Sequence, residues 1–254
     1  KDFFNKLEAV DKISVKDLIN LMYTNYCNME GKQIWGDKSL FFGSIEILHE
    51  LFPDARFIHI VRDGRDIFDS WRKMDKTKSN PAVMALDWTY KEKKINNAFT
   101  HIPKNKQLTL RYEDLLKSPQ EVVTLVCNFL DISYEDSLLE FYKSSEKYIG
   151  KHHSKLIFSK IDSQNMRKWK KTLNSRDLAI FTSLARSLLN KYDYETKEIS
   201  PTFANRISLT IMLLVGLPYR IGQVLINKIK YSRALKSGKD VEGLAIGKMP
   251  DKLQ

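Results

Sequence analysis

The chain has 254 residues, a length that fits one large domain or one domain with an appendage. It carries 42 lysines and arginines against 31 acidic residues, a net charge of +11, so we expect an anionic partner such as a nucleotide, a nucleic acid or a membrane surface. With 43% hydrophobic and 29% charged residues, the composition excludes wholesale disorder, a fibrous protein and a polytopic membrane protein.

The positive charge is concentrated in two segments. Residues 147–176 hold nine basic side chains against one acidic side chain, and residues 200–254 hold nine against three. The other residues together are close to neutral. We therefore expect two local binding surfaces rather than a field that covers the whole molecule. A nucleic-acid interface on residues 147–176 is an alternative that we weigh but do not favour.

The two cysteines, Cys27 and Cys127, both lie on apolar faces of predicted helices. A disulfide framework or a thiolate metal site is therefore not expected, and this cysteine usage favours a reducing compartment. His152 and His153 are adjacent and have no third ligand at metal-binding spacing, so no metal is expected. We expect a cytoplasmic protein, with peripheral membrane contact as an open alternative.

Helical and extended patterns alternate along the chain. The predicted elements, in order, are a helix from Ser14 to Gly31, an extended piece at 33–35, a helix over 44–51, a strand over 56–61, a helix through Met74, a helix over 81–100, a strand over 107–111, a helix that starts in a capping box at 118–121, a helix near 135–148 and a helix from Ser175. No hairpin signal occurs. The alternation predicts an α/β fold of three layers, with a mostly parallel sheet and helices on both faces.

The segment 207–226 is apolar but contains Pro218, Arg220 and Gln223. Its longest uncharged run is the 13 residues 207–219, whereas a membrane span needs about 20. We favour a C-terminal helix that packs on the body or on a partner. An interfacial helix that gives peripheral membrane contact through 207–233 is the second interpretation, and a span is the third.

Arg62 follows the strand 56–61 directly, and ligands of open parallel sheets bind beyond the carboxyl ends of the strands. A guanidinium can donate two parallel hydrogen bonds to a phosphate. Ser70 lies two turns into the next helix and could add a hydroxyl donor. This strand–turn–helix unit favours a phosphate site, and ordinary loop ion pairs of Arg62 and Asp66 are the alternative.

Three further residues are placed where a ligand could meet them. Lys38 follows the extended piece at 33–35, Tyr112 leaves the end of the second strand, and Lys168 precedes Trp169 in the basic segment. The plainer interpretations are a surface lysine, a half-buried core tyrosine and a solvated basic face.

Three sequence blocks together resemble sulfotransferases that use 3′-phosphoadenosine-5′-phosphosulfate (PAPS). The blocks are Trp35-Gly-Asp-Lys-Ser39, the stretch 51–70 with its Ile-Val-Arg-Asp-Gly-Arg-Asp core, and Leu110-Arg-Tyr-Glu-Asp-Leu-Leu116. The resemblance runs from about Ser14 to Tyr194 and is greatest with bacterial and tyrosylprotein sulfotransferases. It implies the P-loop-like sulfotransferase fold over residues 1–196, followed by a basic and apolar extension over 197–254.

The resemblance also implies roles for single residues. Arg62 and Ser70 match the pair that binds the 3′-phosphate, and Tyr112 matches a tyrosine near the adenine. Lys38 matches the lysine that reaches the transferring sulfuryl group. Lys168 and Ser154 match a later cofactor-binding segment. The implied reaction is in-line transfer of a sulfuryl group from PAPS to a hydroxyl or amine, without an obligatory metal and without a nucleic-acid partner.

The sequence departs from the family pattern at its start. Family members open with a strand and a Ser/Thr-rich loop that holds the 5′-phosphosulfate, followed in one branch by a carboxylate that could act as general base. Nothing before Ser14 matches either feature, and residue 1 is not Met. We expect a truncated sequence rather than a catalytically incomplete nucleotide-binding or membrane-associated protein. Small-molecule, glycan, lipid and peptide acceptors all stay open.

Overall fold

The structure, a computed structural model, describes residues 12–38, 43–143, 158–196 and 201–237. Its strands are β1 (Phe57–Val61) and β2 (Gln107–Arg111). Its α-helices are α1 (Val15–Met29), α2 (Ile45–Leu51), α3 (Gly64–Met74), α4 (Pro81–Thr100), α5 (Tyr112–Lys117), α6 (Pro119–Leu130), α7 (Trp169–Thr172), α8 (Ser175–Lys191) and α9 (Phe203–Lys236). Short 3₁₀ helices cover Lys76–Lys78, Lys104–Lys106, Asp136–Lys143 and Ser163–Asn165.

The two strands pair in parallel, and their register places Val61 opposite Arg111. Along β1, His59 and Val61 are buried, whereas Ile58 and Ile60 on the other face are 37% and 55% exposed. Because both strands end at the same register position, the residues that follow them leave the sheet side by side. The pairing therefore fixes the position of the candidate site.

The main core lies on the buried face of β1, between helices α3, α4 and α8. Helices α4 and α8 pack along each other, and α3 packs against both. Apolar side chains at helical spacing supply this core because each helix turns one stripe inward. Its buried members are Val61, Phe68, Met84, Ala85, Trp88, Phe181, Ala185, Leu188, Leu189, Tyr192 and Tyr194.

Helix starts follow the predictions with one exception. The Ser14 hydroxyl accepts a hydrogen bond from the Asp17 backbone N–H, as a capping serine does. Ser118 stands at the start of α6, but its side chain makes no capping hydrogen bond, so the predicted capping box is wrong. The cap is dispensable there because Pro119 has no N–H and its fixed φ suits the first helical position.

Two predicted elements differ in the structure. The piece at 33–35 is not a strand: Trp35 stacks on Tyr23 of α1, with ring centroids 4.3 Å apart. The helix predicted near 135–148 is the 3₁₀ helix Asp136–Lys143, and its remaining residues lie outside the described ones. The piece at 33–35 has no neighbouring strand in the described chain with which to share hydrogen bonds. Aromatic packing therefore determines its position.

The C-terminal segment forms one α-helix of 34 residues, α9, which continues through Pro218. It packs on α4 and α8, as the favoured interpretation predicted. The Asn80 side-chain amide donates to the Met212 carbonyl at 2.9 Å. A Cβ on Gly216 would lie 2.3 Å from Asn80 Nδ2 and 2.6 Å from Val83 Cγ2, so glycine at this position lets the two helices approach closely.

Candidate active site

Arg62 and Tyr112 meet at the carboxyl ends of the two strands. Each residue directly follows its strand, and the register brings the two together. The Arg62 guanidinium carbon lies 4.8 Å from the centroid of the Tyr112 ring, and both side chains are half-buried. A guanidinium on an aromatic face is held in a fixed orientation while its edge stays available to a ligand.

Asn165 joins Arg62 to Lys168. Arg62 Nη2 donates to the Asn165 carbonyl oxygen at 3.2 Å, and Lys168 Nζ donates to the Asn165 side-chain oxygen at 2.6 Å. Asn165 itself is 7% exposed. Three residues predicted from separate parts of the sequence, Arg62, Tyr112 and Lys168, therefore share one cluster, which we call the Arg62 cluster.

Two arginine side-chain nitrogens near the ends of the strands lack an acceptor. Among the described residues, the buried Arg62 Nε and Arg111 Nε have no hydrogen-bond partner. Arg111 Nε lies 3.8 Å from an oxygen of Asp114, which is too long for a hydrogen bond. Buried charged donors without partners are costly, and an anion would satisfy them. Within the Arg62 cluster, the unpartnered Arg62 Nε thus favours a phosphate-like ligand, whereas Arg111 packs on Tyr194, with its guanidinium carbon 4.7 Å from the ring centroid.

Asp66 holds the segment that carries Lys168. Its carboxylate accepts from the backbone N–H of Arg167 at 2.7 Å and from that of Trp169 at 2.9 Å. Arg167 has a φ of 55°, in the left-handed region that non-glycine residues rarely adopt. Burial raises the pKa of Asp66, although these two hydrogen bonds oppose the rise. The carboxylate therefore maintains a strained turn next to the cluster.

Arg65 is a buried cation behind this turn. It is 1% exposed and pairs with Asp63, with Nη2 2.8 Å from a carboxylate oxygen. Its guanidinium carbon lies 3.9 Å from the centroid of the Trp169 ring. The Trp169 indole N–H donates to the same Asp63 carboxylate at 3.0 Å. The start of α7 is thus held against the start of α3 by the contacts among Arg65, Asp63 and Trp169.

Glu113 completes the support from the second strand. Its carboxylate accepts from the Asp63 backbone N–H at 3.0 Å and from the Tyr194 hydroxyl at 2.7 Å. Burial and the Glu113 charge raise the pKa of Tyr194, so this hydroxyl stays a donor. Neither Glu113 nor Arg65 was predicted from the sequence, and Asp66 entered only in the alternative of ordinary loop ion pairs. The signal that could have found these residues was the density of charge in the two short motifs that follow the strands.

The family follows from comparison with known proteins. A sequence profile of the sulfotransferase family matches residues 4–136, just over half of the chain. The chain belongs to the sulfotransferase family. The matched residues include Arg62, Tyr112, Ser70 and Lys38, whereas Lys168 lies beyond them.

Curated relatives of this sulfotransferase are named for protein-tyrosine sulfation. A putative protein-tyrosine sulfotransferase of Caenorhabditis briggsae is 23% identical over 177 residues, which cover 62% of this chain and 59% of the relative. A protein-tyrosine sulfotransferase of Drosophila melanogaster is 28% identical over 131 residues, covering 47% of this chain and 26% of the relative. The chain therefore spans less than two thirds of each of these relatives.

Solved structures share the fold. The sulfotransferase domain from the curacin biosynthetic pathway covers 77% of this chain and 78% of its own, with a TM-score of 0.55 at 18% identity. The sulfotransferase domain of the Synechococcus PCC 7002 olefin synthase covers 72% and 68%, with a TM-score of 0.50 at 20% identity. The predicted α/β sulfotransferase fold is confirmed.

The contacts of the Arg62 cluster do not include the predicted site residues Ser70 and Lys38. Ser70 is exposed on α3, one turn beyond Asp66. It lies on the same side of the helix as Asp66, whose carboxylate binds the backbone of Arg167 and Trp169. Lys38 is exposed at the end of the described range 12–38. Ser154 lies outside the described residues. In the described part of the chain, no group of three or more His, Cys, Asp or Glu side chains could hold a metal ion.

Proposed function

We propose that this sulfotransferase transfers a sulfuryl group from PAPS to a hydroxyl or amine acceptor. One observation carries the proposal: Arg62 stacks on Tyr112 and is joined to Lys168 through Asn165, and its buried Nε lacks an acceptor among the described residues. A dianionic 3′-phosphate next to a nucleoside matches this arrangement of cations and an aromatic ring.

The residues present fit the donor in chemistry. Arg62 and Lys168 would supply positive charge to the 3′-phosphate, and Ser70 would add a hydroxyl donor from the next turn of α3. Tyr112 would offer an aromatic face and a hydroxyl near the adenosine. The support from Asp66, Asp63 and Glu113 holds these groups in place before a ligand arrives, which lowers the entropic cost of binding.

PAPS would supply an activated sulfuryl group for in-line displacement: a bond forms from sulfur to the acceptor oxygen or nitrogen while the bond from sulfur to the donor phosphate oxygen breaks. The adenosine bisphosphate would leave, the acceptor proton would pass to solvent, and charge builds up between donor and acceptor during this transfer. We assign Lys38 to stabilise that charge, because its sequence block matches the family lysine that reaches the sulfuryl group. We assign no general base to the described residues.

For the acceptor we propose a tyrosine hydroxyl in a protein or peptide. The support is the naming of the curated relatives as protein-tyrosine sulfotransferases. The high positive charge of the chain agrees with such an acceptor, since an acidic peptide would be attracted to it.

Titration calorimetry of the full chain with 3′,5′-adenosine bisphosphate tests the donor site. We expect binding that Arg62→Ala weakens at least tenfold, because a buried charged hydrogen bond contributes about 1.5–3 kcal/mol. Arg56→Ala is the matched control: it removes the arginine at the opposite end of β1, which pairs with Asp131 and the Phe129 carbonyl. Absence of binding, or equal loss in both variants, would overturn the donor site.

A transfer assay tests the reaction separately. Labelled PAPS is incubated with the full chain and either a tyrosine-containing acidic peptide or its phenylalanine counterpart. Label on the tyrosine peptide only is the expected result. Binding of the bisphosphate without transfer to any acceptor would favour the catalytically incomplete protein instead.

A further inference from the structure

Helix α9 presents an apolar stripe to the outside of the molecule. Its members recur at intervals of three, four or seven residues, so they lie on one side of the helix. Each is between 50% and 71% exposed: Ile207, Ile211, Leu214, Ile221, Leu225 and Ile229. A continuous exposed apolar stripe of this length is unusual for a surface that only water contacts.

The opposite side of α9 attaches it to the domain. Leu209, Met212, Gly216 and Arg220 are half-buried and also recur at intervals of three and four residues. Asn80 donates to the Met212 carbonyl, and Arg220 lies 3.8 Å from Asp87. The helix therefore has two distinct faces: one packs on α4, and the other is exposed.

The charge of α9 has one sign. Residues 203–236 contain six basic side chains and no acidic one, and four of the basic residues fall between Lys228 and Lys236. Tyr219 and Tyr231 are 54% and 40% exposed, a placement typical of aromatic side chains at a membrane interface. Apolar area beside the cluster of basic residues between Lys228 and Lys236 complements the surface of an anionic bilayer.

We propose that α9 binds flat on the surface of an anionic phospholipid bilayer and holds the sulfotransferase there. The helix is long and apolar enough to cross a membrane, with a mean hydropathy of 1.7 over its most apolar window. If α9 crossed the membrane, however, the contacts that Met212, Gly216 and Arg220 make with the folded domain would lie within the hydrocarbon layer. The flat orientation keeps those contacts and buries the outward stripe.

Co-flotation of the full chain with lipid vesicles tests the proposal. We expect binding to vesicles of equimolar phosphatidylcholine and phosphatidylserine and much weaker binding to phosphatidylcholine alone. The variant Ile211→Ser/Leu214→Ser/Ile221→Ser should bind at least tenfold more weakly. The matched control is Val15→Ser/Met22→Ser/Met29→Ser, because these residues of α1 are 52–76% exposed as well. Unchanged circular dichroism and thermal midpoint show that each variant is folded.

A second variant tests the charge. Lys228→Gln/Lys230→Gln/Arg233→Gln should lose about fivefold in affinity for anionic vesicles per cation removed. Equal binding to neutral and anionic vesicles, with no effect of these changes, would overturn the anionic surface.

Two other occupants of the stripe give different results. Retention on the vesicles after alkaline carbonate extraction would show a spanning helix and overturn the flat orientation. Absence of vesicle binding, together with a dimer in analytical ultracentrifugation that the serine variant abolishes, would assign the stripe to a second copy of the chain. Each outcome is independent of the donor-site titration.

Discussion

At the scale of single residues, the candidate site depends on carboxylates that never need to touch a ligand. Asp66 turns two oxygens to two backbone N–H groups, and Asp63 connects Arg65 to Trp169. These contacts set the position of Lys168 relative to Arg62. The cations of the Arg62 cluster are positioned by this acidic support, whose hydrogen-bond geometry is the more demanding.

Asp66→Asn tests the support. An asparagine has one acceptor oxygen, so its amide group would face the N–H of Arg167 or Trp169 without an acceptor. We expect 3′,5′-adenosine bisphosphate to bind about tenfold more weakly and the free energy of unfolding to fall by about 1–3 kcal/mol. Calorimetry and urea denaturation measure the two effects. Asp54→Asn, whose carboxylate is fully exposed, is the control, and unchanged affinity in Asp66→Asn would contradict the positioning role.

At the scale of elements, local sequence patterns predicted the bounds of strands and helices, whereas contacts between residues far apart in the chain were not predicted. Strand β2 and helix α4 have the predicted bounds, because the alternation of polar and apolar residues along 107–111 and the proline at position 81 are local signals. The contacts of Asp66 with Arg167 and Trp169 were missed because about 100 residues separate the partners. Helix α9 runs through Pro218 since packing on α4 offsets the hydrogen bond that proline removes.

Gly216→Leu tests how α9 is attached. The larger side chain cannot fit against Asn80 and Val83, so we expect α9 to separate from α4, with faster proteolytic cleavage within 203–236. Gly222→Leu is the matched control in the same helix, because a Cβ there meets nothing within 4 Å. The control should resist cleavage as well as the parent chain does. Equal cleavage of all three proteins would contradict the close approach.

At the scale of the whole molecule, stability should depend on acid through Asp69. Burial would raise the pKa of Asp69, but hydrogen bonds from Lys73 and Arg72 hold it below its ordinary value. A carboxyl with a lowered folded-state pKa stabilises the fold above its unfolded pKa, and that contribution is lost as the pH falls through the folded pKa. Arg72 also donates to the Thr172 carbonyl at 2.6 Å, so the ion pair links α3 to the end of α7.

Asp69→Asn should therefore be less stable than the parent chain at neutral pH, by about 1–3 kcal/mol. The difference should shrink below about pH 4, the ordinary pKa of an aspartate. Urea denaturation across this range measures the free energy of unfolding of both proteins. The same acid dependence in both would show that Asp69 is not the group responsible.

The parallel pairing of β1 with β2 also determines when the Arg62 cluster can form while the chain is being synthesised. The strands are separated by α3 and α4, so among the described residues β1 has no strand to pair with until β2 has been made. Closing so long a loop makes this pairing a late and slow step of folding. Arg62 and Tyr112 come together only after that step, and Lys168 joins them later still. The Arg62 cluster is thus complete only after Lys168 has been made, and binding of 3′,5′-adenosine bisphosphate, the ligand proposed for this cluster, would report that the newly made chain has folded.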